Sequence, residues 1–321
     1  MAIGAGRLKP GLAALLAALL AAAAQAQEWP EKPVRIVAPY APGGSADTLG
    51  RVIAQKLGLR FKQNFLVENR PGAGGFVGSD AVAKAAPDGY TLVISGVGSH
   101  VIGPAVAAAP YDPVASFTHI ALFGGPPIVL AVSPALEAKG LDAFIAISKS
   151  RPDGIAFGSP GQGTQGHLIG ELFREQSGAR LSHVPYKGAA PAVADMIANH
   201  LPAVFVTFAT AQGQINAGRA RALAHTAARR IADAPQVPTF AESGYGELVA
   251  TTWFGLSGPA GMPAEIVKRL NAAVRASLLE PDVRDRLRNE GSEPNDLDPA
   301  AYTEFVRAEI RRWTPLARAA K

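Results

Sequence analysis

The chain has 321 residues, a formal net charge of +5 and no cysteine, and hydrophobic residues make up 48% of it. The absence of cysteine excludes disulfides, thiol catalysis and thiolate metal sites. The small positive charge is dispersed along the chain, which favours small anions over nucleic acid as partners. A chain of this length and composition can build two hydrophobic cores, so we expect two domains.

Residues 1–26 have the pattern of a secretory signal peptide. Arg7 and Lys9 give a basic start, an apolar run covers 12–24, and Ala24-Gln25-Ala26 supplies a small-x-small cleavage site. The run is too short for a transmembrane helix, which needs about 20 apolar residues. We therefore expect export to the periplasm, a mature chain that begins near Gln27, and no membrane insertion after cleavage.

Short β-rich runs then alternate with helical patterns, which is typical of α/β domains with largely parallel sheets. The first run, 34–38, precedes a Gly-rich turn and a segment whose apolar residues recur at helical spacing up to Leu57. Further strands are predicted at 65–68 and 91–95. These elements predict a first α/β domain.

The alternation restarts near Ile128–Val132. The predicted elements that follow are helix 141–150, strand 155–158, helix 164–177, strand 181–184, helix 189–199, and strands 203–208 and 220–224. A strand at 251–257 and an amphipathic helical tail then return to the first domain. The predicted domains are therefore 27–127 with 250–321, and 128–249. A chain that passes twice between its domains is typical of a hinged clam-shell with a ligand cleft between the domains. We expect the hinge near 128–132 and 250–257.

Three Gly-rich turns, 41–47, 70–78 and 159–167, join a strand to the start of a helix. A helix start has unpaired N–H groups and the positive end of the helix dipole, and glycines let successive amides face an anion. The turns therefore predict an anion site made of backbone amides. We expect positive φ at Gly44 and Gly163, where a side chain would also occupy the anion's place.

For two side chains in these turns, the sequence allows more than one role. Asp47 stands in the first turn of its helix, where a carboxylate can contact a ligand or simply stabilise the helix dipole. His167 occupies the equivalent position in the third turn. It can donate a hydrogen bond to an anion or serve as a structural residue.

The third turn also contains a literal G-x-G-x-x-G at 161, 163 and 166, after a strand and before a helix. This pattern is typical of dinucleotide sites, which also need an acidic residue at the end of the next strand. Here that strand runs into Pro185-Tyr186-Lys187-Gly188, which has no acid. An exported oxidoreductase that uses a nicotinamide cofactor is therefore the weaker alternative, and we expect no cofactor.

Other catalytic patterns are missing from the sequence. No serine lies in a G-x-S-x-G motif, and the six histidines are scattered without a two-histidine helix motif or an acidic cluster beside them. We therefore predict a binding protein that holds no metal and catalyses no reaction.

Several of these segments occur in the same order in a known family. They are Trp29–Val37, Ala41–Asp47, Val67–Gly75, Ala86–Leu92, Gly161–Thr164, Val184–Gly188, Ala217–Ala224 and Trp253–Leu256. On these segments the chain resembles the Bug proteins, the extracytoplasmic solute-binding components of tripartite tricarboxylate transporters. The resemblance covers essentially the whole mature chain.

The resemblance implies a two-domain α/β periplasmic-binding-protein fold, of the Venus flytrap type, that closes on its ligand. It implies a small organic acid as ligand and an integral-membrane permease as partner. We also expect a monomer. Carried over to this sequence, the ligand-binding set is Gly43, Gly44, Ser45, Asp47, Ser99, Gly161, Gly163, Thr164 and His167, and we add Thr207 to it.

Two points stay open within this interpretation. Many relatives carry Asp after the residue equivalent to Phe205, whereas this chain has Val206, which argues against an amino-acid ligand and favours an apolar or aromatic acid. The same fold could also deliver its ligand to a sensory receptor in place of a permease.

Overall fold

The computed structural model describes residues 29–319, so the predicted signal peptide lies outside the described residues. The elements of the first domain that precede the crossing are β1 (Val34–Ala38), α1 (Ser45–Phe61), β2 (Phe65–Asn69), α2 (Phe76–Ala83), β3 (Thr91–Gly96), α3 (Gly103–Val106) and β4 (Phe117–Gly124). A π-helical turn, Gly98–Ile102, leads directly into α3.

Strands and helices alternate again in the second domain. Its elements are β5 (Ile128–Val132), α4 (Leu141–Ser150), β6 (Ile155–Ser159), α5 (Gln165–Ser177), β7 (Leu181–Pro185), α6 (Ala189–Ile197), β8 (Ala203–Thr207), α7 (Phe208–Asn216) and β9 (Arg221–His225). The chain then returns to the first sheet. The returning elements are β10 (Phe254–Pro259), α8 (Ala264–Leu278), α9 (Pro281–Asn289) and α10 (Pro299–Ala319).

The two domains share one strand arrangement. Within the described residues the first sheet has the order β2-β1-β3-β10-β4 and the second has the order β7-β6-β8-β5-β9. In each sheet the first three strands pair in parallel. The next strand, β10 or β5, is antiparallel to both of its neighbours and belongs to the chain that has just crossed.

The apolar residues that recur at helical spacing in the sequence face these sheets. Leu49, Ile53 and Leu57 of α1, four residues apart, are at most 2% exposed and pack in one core cluster with β1. In α10, Tyr302 and Trp313 are at most 1% exposed. The predicted helical stripes are therefore the faces that bury against the sheets.

The chain crosses between the sheets after β4 and again before β10. The predicted domain boundaries, 127/128 and 249/250, fall in these stretches. That the two domains move independently about these boundaries stays a prediction. The predicted hinge residues 128–132 form β5, which is hydrogen-bonded on both sides. A strand paired in this way cannot absorb a rotation, so the flexible residues must flank it. We call 125–127 the first crossing and 249–253 the second crossing.

Three elements escaped the sequence prediction: β4, α7 and the short helix α3. Most residues of the first are buried whichever face they point to, which removes the usual alternation of polar and apolar positions. The second begins at Phe208 and includes Thr210 and Gly213, which are weak helix formers. Packing against β5, β8 and α6 stabilises it instead.

Candidate functional site

A cleft lies between the two sheets, beyond the carboxyl ends of their parallel strands, where open α/β sheets bind ligands. It leaves about 480 Å³ free of protein atoms, including its open mouth. Its lining residues are Tyr40, Gly44, Ser45, Ala46, Val97, Gly98, Ile128, Pro160, Thr164, Gln165, Gly166, Ala189, Thr207, Thr252 and Phe254. None of these described lining residues carries a charge.

Five helix starts meet in this cleft. The first domain contributes α1 at Ser45 and the π-helical turn at Gly98, and the second contributes α5 at Gln165, α6 at Ala189 and α7, which Thr207 caps. Each start presents the positive end of a peptide dipole series. Together they give a cleft without cationic side chains a positive potential, which favours an anion.

The amides at two of these starts are available for a ligand. Among the described residues, the N–H groups of Ser45, Ala46, Gln165 and Gly166 have no backbone or side-chain acceptor. The first N–H groups of any helix lack a partner within the helix, so another group must accept from them. Because these two pairs belong to different domains, one anion could accept from both only when the cleft is closed.

Asp47 supports the first loop from behind. Its Oδ2 accepts from the Gly43 N–H at 3.0 Å, its Oδ1 accepts from Asn69 Nδ2 at 3.0 Å, and Arg51 forms an ion pair with it at 2.9 Å. Burial raises the pKa of this carboxyl, but the hydrogen bonds from Arg51, Gly43 and Asn69 outweigh burial and lower it. Both oxygens are therefore occupied within the first domain, which favours the supporting role.

Positive φ was expected at Gly44 and Gly163, and the structure has it at Gly163 only. Gly163 has φ of 74°, whereas Gly44 has φ of −84°, a conformation that any residue adopts. Gly43 is the residue of the first loop with positive φ, at 86°. The prediction for Gly44 is therefore wrong, because its neighbour makes the turn and Gly44 serves as the helix cap.

Thr164 caps α5 and holds the third loop together. Its hydroxyl donates to the Gly161 carbonyl at 2.7 Å and accepts from the His167 N–H at 3.5 Å. The Nδ1 atom of His167 accepts from the Gly163 N–H at 3.3 Å. Thr164 lines the cleft, whereas Gly161, Gly163 and His167 shape the loop behind it.

His167 faces away from the cleft lining and packs against His183, with ring centroids 4.1 Å apart and ring planes tilted by 30°. Burial, with a smaller contribution from Arg174, lowers the pKa of His167. Burial and the neighbouring His167 lower the pKa of His183 to about 3. Both rings are therefore neutral near pH 7, and His167 stabilises the loop as a hydrogen-bond acceptor.

The third glycine of the G-x-G-x-x-G pattern has a packing role. A Cβ atom on Gly166 would lie 2.2 Å from the Phe205 carbonyl oxygen, so only glycine lets α5 approach β8 this closely. Gly161 and Gly163, with φ of 137° and 74°, form the turn. The motif thus reflects the geometry of a tight strand-to-helix connection, and this geometry does not require a dinucleotide.

Ser99 lies beside the cleft without lining it. Its side chain is fully buried, and its Oγ lies 2.9 Å from His100 Nδ1. The Tyr111 hydroxyl donates to the Ser99 carbonyl at 2.7 Å. Gly98, one residue earlier, takes the position at the cleft wall.

Three hydroxyl groups form a cluster that spans the cleft, which we call the hydroxyl cluster: Ser45, Thr207 and Thr210. The oxygen of Ser45 lies 2.7 Å from that of Thr207 and 3.4 Å from that of Thr210, and the two threonine oxygens are 2.8 Å apart. Ser45 belongs to the first domain and both threonines to the second. The cluster therefore links the domains directly at the cleft.

Comparison with known proteins assigns the chain to a family. The sequence profile described as "Tripartite tricarboxylate transporter family receptor" matches residues 49–321. Protein BugT of Bordetella pertussis is 36% identical over 301 residues, which cover 93% of this chain and 92% of that protein. The chain belongs to this receptor family. Its expected resemblance to the Bug proteins is thereby confirmed.

Solved structures match the receptor along its length. An R. palustris protein solved with adipate superposes with a TM-score of 0.88 at 34% identity, covering 91% of this chain and 98% of that one. MatC from Rhodopseudomonas palustris with bound malate superposes with a TM-score of 0.85 at 30% identity, covering 90% and 100%. These matches confirm the predicted two-domain α/β fold of periplasmic binding proteins.

The second Gly-rich turn of the receptor makes a cross-cleft contact and does not line the cleft. Residues 72–75 all have positive φ. A Cβ atom on Gly74 would lie 2.4 Å from the Gln162 carbonyl oxygen of the second domain. The Tyr40 hydroxyl donates to the Gly74 carbonyl at 3.1 Å. This turn therefore brings the two domains close together beside the site.

Sequence reasoning missed several residues that line the cleft, among them Gly98, Gln165, Ala189 and Thr252. The turn 185–188, with Gly188 directly before Ala189, was a usable signal for another helix start. Val206 was assigned a specificity role, but its side chain is fully buried in a core cluster of the second domain and does not line the cleft. The structure therefore gives Val206 no direct contact with a ligand.

Between residues 29 and 319, no helix combines the length and hydrophobicity needed to cross a membrane. The same part of the receptor has no group of three or more His, Cys, Asp or Glu side chains placed to hold a metal ion.

Proposed function

We propose that the receptor captures a small organic acid by its carboxylate, between the helix starts of both domains. The observation that carries this proposal is the meeting of five helix starts in a cleft with no charged lining residue. Backbone amides and helix dipoles supply the positive potential that arginine supplies in other anion sites. Relatives solved with adipate and with malate bind acids of this class.

The predicted site residues then divide into two groups. Gly44, Ser45, Thr164 and Thr207 line the cleft, and we assign them direct contact with the ligand. Gly43, Asp47, Ser99, Gly161, Gly163 and His167 hold the loops in shape. To the first group we add Gly98, Gln165, Gly166 and Ala189, which line the same cleft.

The part of the ligand beyond the carboxylate should be without positive charge. No carboxylate side chain lines the cleft among the described residues, so a ligand ammonium would lose its hydration without gaining a counter-charge. The hydroxyl cluster of Ser45, Thr207 and Thr210 can donate or accept hydrogen bonds, because its protons are free to reorient. It suits an uncharged polar group or a second carboxylate.

The proposal is tested by thermal shift and calorimetry with adipate, L-malate, benzoate and L-aspartate. L-Malate and L-aspartate form a matched pair, since a hydroxyl in one replaces an ammonium in the other. We expect at least one of the acids without an ammonium to bind, with about 2.7 kcal/mol of added stability at 100 times its dissociation constant. L-Malate should bind more tightly than L-aspartate.

No thermal shift with any of the four acids would contradict carboxylate capture. Tighter binding of L-aspartate than of L-malate would contradict the argument from the uncharged cleft alone.

We also propose the transport role in its full form. The chain is exported with cleavage of residues 1–26, acts as a monomer in the periplasm, and delivers its ligand to an integral-membrane permease without converting it chemically. Family membership supports the transporter partner. Closure supports delivery, because a closed receptor presents a surface that the open form lacks.

A further inference from the structure

The two crossings between the domains are hydrogen-bonded to each other. Pro127 and Thr251 form an isolated antiparallel bridge, and the Thr252 N–H donates to the Pro126 carbonyl at 3.1 Å. Any rotation of one domain against the other must therefore involve this short ribbon or its immediate flanks. The position of the second crossing, 249–253, sets where the two halves of the cleft meet.

One side of the second crossing is tied to the ligand cleft by Gln165, the first residue of α5. Its Nε2 donates to the Thr251 carbonyl at 3.3 Å, and its Oε1 accepts from the Thr252 hydroxyl at 2.6 Å. Gln165 is 3% exposed and Thr252 is 5% exposed, and both line the cleft. The helix start that faces the ligand therefore moves together with the second crossing.

The opposite side of the second crossing is held by the C-terminal helix α10. The Oε2 atom of Glu309 accepts from the indole N–H groups of both Trp253 and Trp313, at 3.0 and 2.9 Å. Arg312, one turn further along α10, donates to the Val249 carbonyl at 3.1 Å. Trp253 is 3% exposed and Glu309 is 9% exposed, so this contact is largely closed to solvent.

Glu309 has no contact with the cleft, yet it holds the residue next to Thr252. Removing its carboxylate would leave two buried indole N–H groups without their acceptor, which is costly unless the side chains move. Movement of Trp253 displaces the two preceding residues, Thr251 and Thr252, to which the Gln165 side chain is hydrogen-bonded. The start of α5 would then shift relative to α1 across the cleft.

We propose that Glu309 is a positioning residue for the ligand: through Trp253, Thr252 and Gln165 it sets the distance between the helix starts that share the carboxylate. This inference rests on the proposed function, since it concerns the geometry of that same site. It makes the C-terminal helix part of the hinge, and it predicts an effect on affinity from a residue outside the cleft.

The test is calorimetry with adipate and L-malate on the mature chain carrying Glu309→Leu, Glu309→Gln or Ser148→Ala. Glu309→Leu should weaken binding by about three- to thirtyfold, the usual range for coupling between sites. Glu309→Gln keeps an acceptor oxygen of the same shape, so it should bind within about twofold of wild type. Ser148→Ala, which removes a buried hydroxyl bonded within the second domain, should lower thermal stability and leave affinity unchanged.

A purely structural role would lower the thermal midpoint of Glu309→Leu without changing its affinity, and that result would overturn the inference while leaving the proposed function intact. If Glu309→Leu does not fold, Arg312→Ala takes its place. It removes a further polar contact of α10 with the second crossing, from a half-exposed side chain, and affinity equal to wild type in that variant overturns the inference. Wild-type protein that binds neither acid overturns the proposed function, and this inference with it.

Discussion

Gly163→Val should weaken binding of adipate or L-malate at least about a hundredfold, a loss of roughly 2.7 kcal/mol. Gly163 has φ of 74°, a region that β-branched residues avoid. A Cβ atom there would lie 3.0 Å from the Gly103 Cα atom and 3.4 Å from a methyl group of Val106. Both neighbours belong to the first domain, so the valine would distort the loop and also hold the cleft open. Calorimetry on the folded variant measures the loss.

Gly218→Val is the matched control. Gly218 has a similar φ of 69°, and a Cβ atom there would meet nothing within 4 Å. It therefore incurs the backbone strain without a clash across the cleft, and it should lose stability but bind normally. Thr164→Ala should cost about 1 kcal/mol of affinity, because the loop loses the hydrogen bond to the Gly161 carbonyl and the longer one from the His167 N–H. A Gly163→Val protein that folds and binds like wild type would place the anion site elsewhere.

Acid should destabilise the receptor well above the pH at which carboxylates titrate, because of buried neutral histidines. His119 is 2% exposed; its Nδ1 lies 2.9 Å from Ser257 Oγ and its Nε2 lies 3.2 Å from the Pro113 carbonyl. Burial lowers the pKa of His119, the hydrogen bond to Pro113 raises it and Arg307 lowers it, and the result is a pKa of about 4. Burial likewise lowers the pKa of His225 to about 4.

The direction of the effect follows from proton binding. In the unfolded chain His119 takes up its proton near pH 6.5, whereas in the folded chain it does so near pH 4. Its contribution to stability is therefore present above pH 6.5 and is lost as the pH falls towards 4. From pH 7 to pH 5 the loss is about 2 kcal/mol for this histidine alone, a large share of the 5–15 kcal/mol typical of a folded domain.

Urea unfolding of wild type and His119→Gln at pH 7 and pH 5 measures this contribution. The variant should be less stable at pH 7 and should lose about 2 kcal/mol less than wild type on acidification. His200→Gln, which replaces a histidine whose side chain is 74% exposed, is the control and should lose as much as wild type. Equal losses in wild type and His119→Gln would mean that His119 is already protonated in the folded protein or does not titrate in this range.

The strand-to-helix units could be predicted from sequence because their signals are local. The apolar spacing of Leu49, Ile53 and Leu57 gives α1, and the glycines at 161 and 163 mark the turn before α5. The same local rules identified the first and third loops as anion-binding candidates. Each of these predictions depends only on residues that are close together in the chain, which is why the sequence alone was sufficient for them.

The composition of the cleft could not be predicted, because it depends on how one domain faces the other. Thr210 joins the site through a contact with Ser45, 165 residues earlier in the chain. The second Gly-rich turn has the same local pattern as the first, yet it contacts Gln162 and does not line the cleft. Only the relative placement of the two sheets decides which turn lines the cleft and which turn contacts the other domain.

We propose that the two domains of the receptor close on a carboxylate. The closed arrangement is visible in the hydrogen bond from the Ala41 N–H to the Lys187 carbonyl at 2.9 Å and in the hydroxyl cluster, both of which join the domains across the cleft. These contacts form only if the first loop reaches the second domain. A ligand that accepts hydrogen bonds from both sides would favour this state over an open one.

Small-angle scattering of the mature receptor, with and without saturating adipate or L-malate, tests this claim most directly. The radius of gyration should fall when the ligand is added, and in Gly163→Val it should keep the larger, ligand-free value. Binding that is confirmed by calorimetry but leaves the wild-type radius of gyration unchanged would contradict closure on the carboxylate.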